Sequence, residues 1–319
     1  MLKYILRRTL TLVPMLLVVS ILVFIALDLT PGDPVSYLLS PETLATVTVE
    51  QLDMMRENLG LNAPIYVRYY RWLINVLRGD FGYSLTYGTA ISDMLSYRLP
   101  ATLELSITAL LLSGVLGILL GFVSAVRQNS ALDYINTVLG ILGVSIPAFF
   151  VGLLGIRIFA VELQWLPIGG RLVYGVDTFW GRLPNLIMPS LTLAIALLAS
   201  LMRYTRSSMI DVLGMDYVKT ARSKGLRESA VYLRHVFRNA LAPVLHLLLS
   251  RIPMLIGGSI VIESTFGWAG MGEMLINGIS SKDYPVIMMV VMATAVLVLV
   301  ASLLSDICTA VLDPRVRLD

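Results

Sequence analysis

The fold class that the sequence predicts is an all-α polytopic membrane protein with six transmembrane helices. Three observations carry it. The first is composition: 57% of the 319 residues are hydrophobic and 14% are charged, against about 25% charged in an average soluble domain. Mean hydropathy is +0.81. A soluble globule of this length cannot bury that much apolar surface, and disorder needs the opposite composition. The second is the set of long runs free of Asp, Glu, Lys and Arg: Thr9–Leu27, Leu105–Val126, Tyr134–Ile156, Leu183–Met202 and Tyr284–Ser305. A sixth run, Asn239–Ile262, is interrupted only by Arg251. Roughly 20 apolar residues suffice to cross a bilayer as a helix. Lipid gives backbone groups no partner, so each span must be a helix; a barrel would show shorter strands of alternating polarity. The third is the placement of Lys and Arg, which sets orientation.

The elements follow in order. Residues 1–8 form a basic tail with Lys3, Arg7 and Arg8. The first span, 9–29, is too long for the apolar core of a cleaved signal peptide, usually 7–15 residues, and no small-x-small cleavage site follows it. Segment 30–100 is structured. Thr48 and Gln51 have capping-box spacing, which predicts a helix near 49–59 stopped at Gly60. Pro64 opens a second helix that ends at Gly79 and carries Tyr66, Tyr69, Tyr70 and Trp72. Such aromatics suit a membrane–water boundary, or a docking surface for an external partner. The remaining spans are 101–126, 134–160 with a kink at Pro147, 183–202, 243–266 and 284–312, followed by a tail at 313–319. Between spans four and five lies segment 203–242. Residues 203–238 of it hold eight basic residues against three acids. Segment 30–100 holds five Arg and seven acids. With six spans, both termini and segment 203–242 are expected in the cytoplasm, and 30–100 outside.

Segment 203–242 also has a shape. Asp216 has the position of an N-cap for a short helix over Tyr217–Lys224. Arg222 and Lys224 suit the negative end of its dipole. Gly225 is placed to end it in the left-handed conformation, and Pro243 is placed to open the fifth span. Thr220 and Ala221 are small enough to let another protein approach. The plainer alternative is a loop whose positive charge only sets topology.

Ionisable residues within spans are costly and count as functional candidates. Arg251 divides the fifth span and is a candidate for the pore or a subunit interface. So are Glu263 and Pro147. Glu263 is 12 residues after Arg251, about 18 Å along a helix, too far to pair with it there. Arg157, Glu104 and Asp306 lie near span ends and are expected at the interface. His246 faces an apolar run and is expected buried and neutral. Gly257-Gly258 and the series Gly114, Gly117 and Gly121 suggest close helix packing or a local kink. One cysteine, Cys308, and two histidines offer no basis for a metal site, nickel included. No G-x-x-x-x-G-K-[ST] loop exists, so ATP hydrolysis by this chain is not expected.

Several stretches together resemble one family. They are Arg206-Ser-Ser-Met-Ile-Asp-Val-Leu-Gly214, Asp216-Tyr-Val-Lys-Thr-Ala-Arg-Ser-Lys-Gly-Leu226 and Arg238-Asn-Ala-Leu-Ala-Pro243. Pro31-Gly-Asp-Pro34, Leu59-Gly-Leu61, Gly79-Asp-Phe-Gly-Tyr-Ser84 and Arg98-Leu-Pro-Ala-Thr-Leu-Glu-Leu105 precede them. Glu263, Phe266-Gly-Trp-Ala-Gly-Met-Gly272, Asp283-Tyr-Pro285 and Asp313-Pro-Arg-Val-Arg317 follow. In this order the chain resembles permease subunits of ATP-binding-cassette importers, in the dipeptide/oligopeptide/nickel branch. The family's loop motif, Glu-Ala-Ala, three residues, then Gly, is matched by Lys219, Thr220, Ala221 and Gly225. The first two depart from the general motif toward what the peptide branch carries. The motif's later Leu-Pro meets Phe237 and Arg238.

The resemblance implies a type I importer permease fold, in a bacterial or archaeal plasma membrane, making half of a translocation pore. The implied partners are a second homologous permease, two cytoplasmic ATPase domains, an extracytoplasmic solute-binding protein and the lipid bilayer, with no nucleic acid. ATP and Mg would be bound by the ATPases and no cofactor by this chain. Asp216, Tyr217, Lys219, Thr220, Ala221, Lys224 and Gly225 would couple it to an ATPase. Relatives with this pattern carry di- or oligopeptides, glutathione, nickel chelates or oligosaccharides. The rival class is an ion-gradient-driven secondary transporter or channel. It calls for paired half-chain repeats and a cluster of midplane ionisable residues, and the sequence shows neither. A purely structural membrane anchor would need neither Arg251 nor the glycines.

Overall fold

The computed structural model describes residues 2–31, 46–58, 62–171 and 178–312. The motif residues at 32–34, 59–61 and 313–317, and the stop expected at Gly60, lie outside the described residues. Helix α1 (Leu2–Asp28) leads into α2 (Val49–Asn58) and α3 (Ile65–Leu77). At α2 the Thr48 N–H donates to Gln51 Oε1 at 3.0 Å, and the Gln51 N–H donates to Thr48 Oγ1 at 3.3 Å. Each satisfies an orphan donor of the first turn. The aromatics of α3 divide. Tyr69 and Trp72 pack on Phe24 of α1 at ring-centroid distances of 5.4 and 6.2 Å. The Tyr69 hydroxyl meets Ser20 Oγ at 2.8 Å, and Arg68 pairs with Asp28. Tyr66 and Tyr70 stay exposed.

Two long helices, α4 (Ile91–Val126) and α7 (Phe179–Leu213), run parallel through the centre. Glycine lets them touch. A Cβ at Gly121 would lie 2.6 Å from the Met202 carbonyl oxygen, and one at Gly117 would lie 3.1 Å from Leu201 Cβ. Both helices overrun the spans expected at 101–126 and 183–202. An apolar run ends at its first charge, but a helix does not when that charge is paired. Arg98 pairs with Glu273, and Glu104 pairs with Arg171 and Arg182.

The span expected at 134–160 is two helices, α5 (Ala131–Ser145) and α6 (Ala148–Glu162), bent by 104°. Ile146 is extended, at φ −91° and ψ 129°, as a residue before proline prefers. Pro147 lacks an N–H, and its ring starts α6 rather than continuing α5. Residues Ile156–Glu162 of α6 are π-helical. The short helix α8 (Asp216–Ser223) precedes α9 (Glu228–Ser250), which meets α10 (Ile252–Phe266) at 49°. Pro243 therefore lies inside α9 and does not open it. The helix starts earlier because buried Val231 and Val236 hold its first turns against α8. Helices α11 (Met271–Ser281) and α12 (Tyr284–Leu312) complete the chain. Among the described residues four helices are long and apolar enough to cross a membrane, and six crossings result if each bent pair is one span.

Three apolar clusters hold the bundle. Leu105, Leu186, Leu193, Ile262, Phe266 and Trp268 join α4, α7 and α10. Ile91, Leu95, Met271, Met274, Val286 and Val290 join the start of α4 to α11 and α12. Ala125, Met209, Val218, Ala221, Val231 and Val236 join the ends of α4 and α7 to α8 and α9. In a bilayer the burial of apolar groups between helices is matched by lipid, so close packing and hydrogen bonds decide. Helix α1 is peripheral: 6% of its most apolar stretch is buried, against 67% for α7.

Candidate coupling surface and the charged groups of the bundle

Helix α8 has two faces. Val218 and Ala221, three residues apart, are buried against Met209, Val231, Val236 and Ala240. Asp216, Tyr217, Lys219, Thr220 and Lys224 are exposed. Met215, not Asp216, is the N-cap, and no side chain caps the helix. Asp216 lies in the first turn, where its Oδ1 takes Lys219 Nζ at 2.9 Å. A carboxylate there still suits the positive end of the helix dipole. Ala221 does not face outward. Its small side chain brings α8 close to its own bundle and not to a partner.

The end of α8 is built as the sequence suggests. Gly225 has φ +74°, and its N–H donates to the Arg222 carbonyl at 2.9 Å. A Cβ at Gly225 would meet nothing within 4 Å, so the constraint is the left-handed backbone itself. Arg222 leaves the outer face to pair with Glu228 of α9 at 3.0 Å. The result is a short helix whose inner side is fixed to α7 and α9 and whose outer side is open.

The intramembrane candidates separate. Arg251 sits at the bend between α9 and α10, half-buried, with Nη1 3.7 Å from Met254 Sδ and Nε without a partner. Among the described residues it has no ion pair. Glu263 is wholly buried, and its Oε2 accepts the Gly272 N–H at 2.6 Å. It therefore faces neither a pore nor a neighbouring subunit. Its Oε2 is taken by the turn after α10, whose N–H groups need an acceptor, while its buried Oε1 has no hydrogen-bond partner among the described residues. Pro147 is exposed at the α5–α6 break. His246 is exposed rather than buried, and its Nδ1 lies 3.2 Å from Thr309 Oγ1 of α12. Glu104 is held by two arginines, Arg171 and Arg182, at 2.9 and 3.3 Å. Arg157 pairs with Glu162, and Asp306 with Arg8, both at 3.1 Å. A Cβ at Gly257 or Gly258 would meet nothing within 4 Å. Those two glycines therefore form an open face and pack on none of the described residues.

Comparison with known proteins decides the family. The model described as "Binding-protein-dependent transport system inner membrane component" matches residues 117–318, and its N-terminal counterpart matches residues 1–106. The chain belongs to this permease family. The "Oligopeptide transport system permease protein AppB" of Bacillus subtilis (strain 168) is 41% identical over 99% of this chain and 100% of its own. The "Glutathione transport system permease protein GsiC" of Escherichia coli (strain K12) is 37% identical over 99% of each chain. The GsiC of Salmonella paratyphi A (strain ATCC 9150 / SARB42) is 38% identical over the same shares.

In this permease three further charges are heavily engaged: Arg206 and Asp283, which the sequence marks only as motif members, and Asp133. Asp133, buried, pairs with Arg206, half-buried, and the pair joins α5 to α7. Asp283, 1% exposed, takes the Ser84 hydroxyl at 2.5 Å and the Thr86 N–H at 3.1 Å. A signal for the first existed. Ser130 and Asp133 have cap spacing just before an apolar run, and Ser130 Oγ does accept the Asp133 N–H, at 3.4 Å.

Proposed function

We propose that this permease subunit forms half of the translocation path of an ATP-driven importer for peptides or related small solutes, and that α8 is where it receives force from an ATPase. The names of its relatives, oligopeptide and glutathione permeases, support the solute class. The observation that carries the coupling role is the two-faced construction of α8. Its open face offers Asp216, Tyr217, Lys219, Thr220 and Lys224 to a partner, while Val218 and Ala221 lock its other face to the two helices that lead into the membrane. In this reading six spans put both termini and α8 in the cytoplasm and α2 and α3 outside. A second permease completes the path, two ATPase domains bind ATP and Mg, and an external solute-binding protein delivers the ligand. Arg251, at the bend and without an ion pair among the described residues, and the open face at Gly257 and Gly258 turn toward the path or the second permease.

The test is Gly225→Val in the reconstituted complex of both permeases, the ATPases and the binding protein. A β-branched residue held at positive φ costs roughly 1–2 kcal/mol, so the end of α8 should shift. Hydrolysis should continue while uptake falls. Normal hydrolysis and normal uptake together would remove α8 from the coupling path.

A further inference from the structure

We propose that Asp133 and Arg206 form a strut that carries movement of α8 into the α5–α6 bend, which makes them positioning residues for transport. This rests on the reading of α8 as the ATPase contact.

The geometry is that of a fixed joint. Arg206 Nε and Nη2 donate to the two Asp133 oxygens at 2.6 and 2.8 Å, a bidentate pair. Asp133 Oδ2 also accepts the Asn129 N–H at 3.0 Å. The Asp133 side chain is 3% exposed, so the carboxylate depends on these donors. Bidentate pairs fix angle as well as distance. Arg206 lies ten residues before Asp216 on the helix that delivers α8.

What the joint holds is the telling part. The buried residues of α5 are Asp133, Asn136 and Gly140. Its apolar side chains Ile135, Val138, Leu139, Ile141, Leu142 and Val144 are exposed. No apolar side chain of α5 is buried, so apolar burial does not anchor it. Its attachment is the Asp133–Arg206 pair, the Asn136 Nδ2 to Ser124 Oγ bond at 2.9 Å, and glycine contacts. A Cβ at Gly140 would lie 2.8 Å from Met202 Cε, and one at Gly143 would lie 3.2 Å from Ala199 Cβ. The helix therefore lies on α7, with its polar end pinned by the pair and its glycines in contact up to Gly143, and the chain turns at Ile146–Pro147. Beyond the bend, Gly152 of α6 touches Phe266 at the end of α10. A path of contacts runs from α8 through α7, the strut and α5 to α6 and α10.

The experiment uses spin labels in the assembled transporter, in a Cys308→Ala background because Cys308 is exposed. One pair, Ser223→Cys with Val300→Cys, reports α8 against α12. The other, Val138→Cys with Val300→Cys, reports α5 against α12. Distances are read without nucleotide and after trapping with ATP and vanadate, so no transported ligand is required. In the otherwise unmodified chain both distances should change on trapping. Asp133→Asn and Arg206→Lys should leave the α8 change intact and reduce the α5 change to less than half. The reversed pair, Asp133→Arg with Arg206→Asp, should restore it. An α5 change that persists in both single variants would overturn the strut alone. An α8 distance that ignores nucleotide in the unmodified chain would overturn the reading of α8 instead. Single variants that shift α5 equally in both states, with the nucleotide response kept, would make the pair a brace without a transmitting role.

Discussion

The two ends of the helical bundle are built on different principles. At the end where α4 starts, buried carboxylates serve the chain's own backbone. Glu263 takes the Gly272 N–H, Asp283 takes the Thr86 N–H, and the indole of fully buried Trp268 donates to the Ala101 carbonyl at 2.9 Å. Thr102 Oγ1 accepts the Met271 N–H at 2.8 Å. At the end where α4 finishes one buried carboxylate, Asp133, also takes a backbone N–H, that of Asn129, but the charged side chains of α8 point out. One end spends its polar groups inward on a rigid turn. The other keeps a charged face open on a helix anchored from behind. That contrast is what supports the proposed coupling role of α8.

The largest effects should come from glycines whose places have no room. Gly121→Ala puts a carbon 2.6 Å from the Met202 carbonyl oxygen and from Thr205 Cβ. Backbone cannot yield as a side-chain tip does, and overpacking of this kind costs about 1–3 kcal/mol. Gly270→Ala, at the other end, drives a carbon into the Glu263 carboxylate and within 2.7 Å of Thr102 Oγ1. Both variants should lower the midpoint of thermal unfolding in detergent, while Gly257→Ala, with nothing within 4 Å, should not. If Gly121→Ala melts like the unmodified chain, α4 and α7 are not in the contact described.

Next come the internal hydrogen bonds. Glu263→Leu removes the acceptor of the Gly272 N–H and should destabilise by about 1–3 kcal/mol, the penalty of an unsatisfied buried group. Glu263→Gln keeps an oxygen there and should lose less. The check is the same melting measurement on both variants. Equal loss would mean that charge, and not the bond to Gly272, matters at this end.

The sequence made most of the helices legible because bilayer physics leaves few choices: long uncharged runs become helices. Thr48 with Gln51, Pro64 and Gly225 marked local boundaries because caps and left-handed turns depend on single residues. What stayed hidden was pairing across the fold. Glu104 reads as a charge near a span end until Arg171, 67 positions later, is seen beside it. Glu263 reads as a pore residue until Gly272 folds back over it. Arg251 was marked by rarity alone, and the bend at that residue gives the mark a location. Ala221 permits close approach because it is small, but nothing in a sequence says from which side.

Orientation sharpens the comparison directly. If the α8 end is cytoplasmic, a single cysteine at position 57, in a Cys308→Ala background, should react with an impermeant thiol reagent in outward-accessible cells. A cysteine at position 222 should react only after the membrane is opened. The reverse pattern would place the open charged face outside, and the two ends would exchange roles.

The smallest effect should be at Lys219. Its partner Asp216 is on the same exposed face, three residues away, and an exposed pair of this kind contributes about 0–1 kcal/mol. Lys219→Glu should therefore leave melting unchanged. It places two acids on one turn of α8, but the inner contacts of Val218 and Ala221 are untouched. Hydrolysis and uptake in the reconstituted complex should both stay within about fivefold of the unmodified chain, given that a tenfold change requires about 1.4 kcal/mol. Gly225→Val, which moves the backbone, should do far more than Lys219→Glu, which changes one charge. If the order is reversed, recognition at α8 is electrostatic, and the shape of the helix end is secondary.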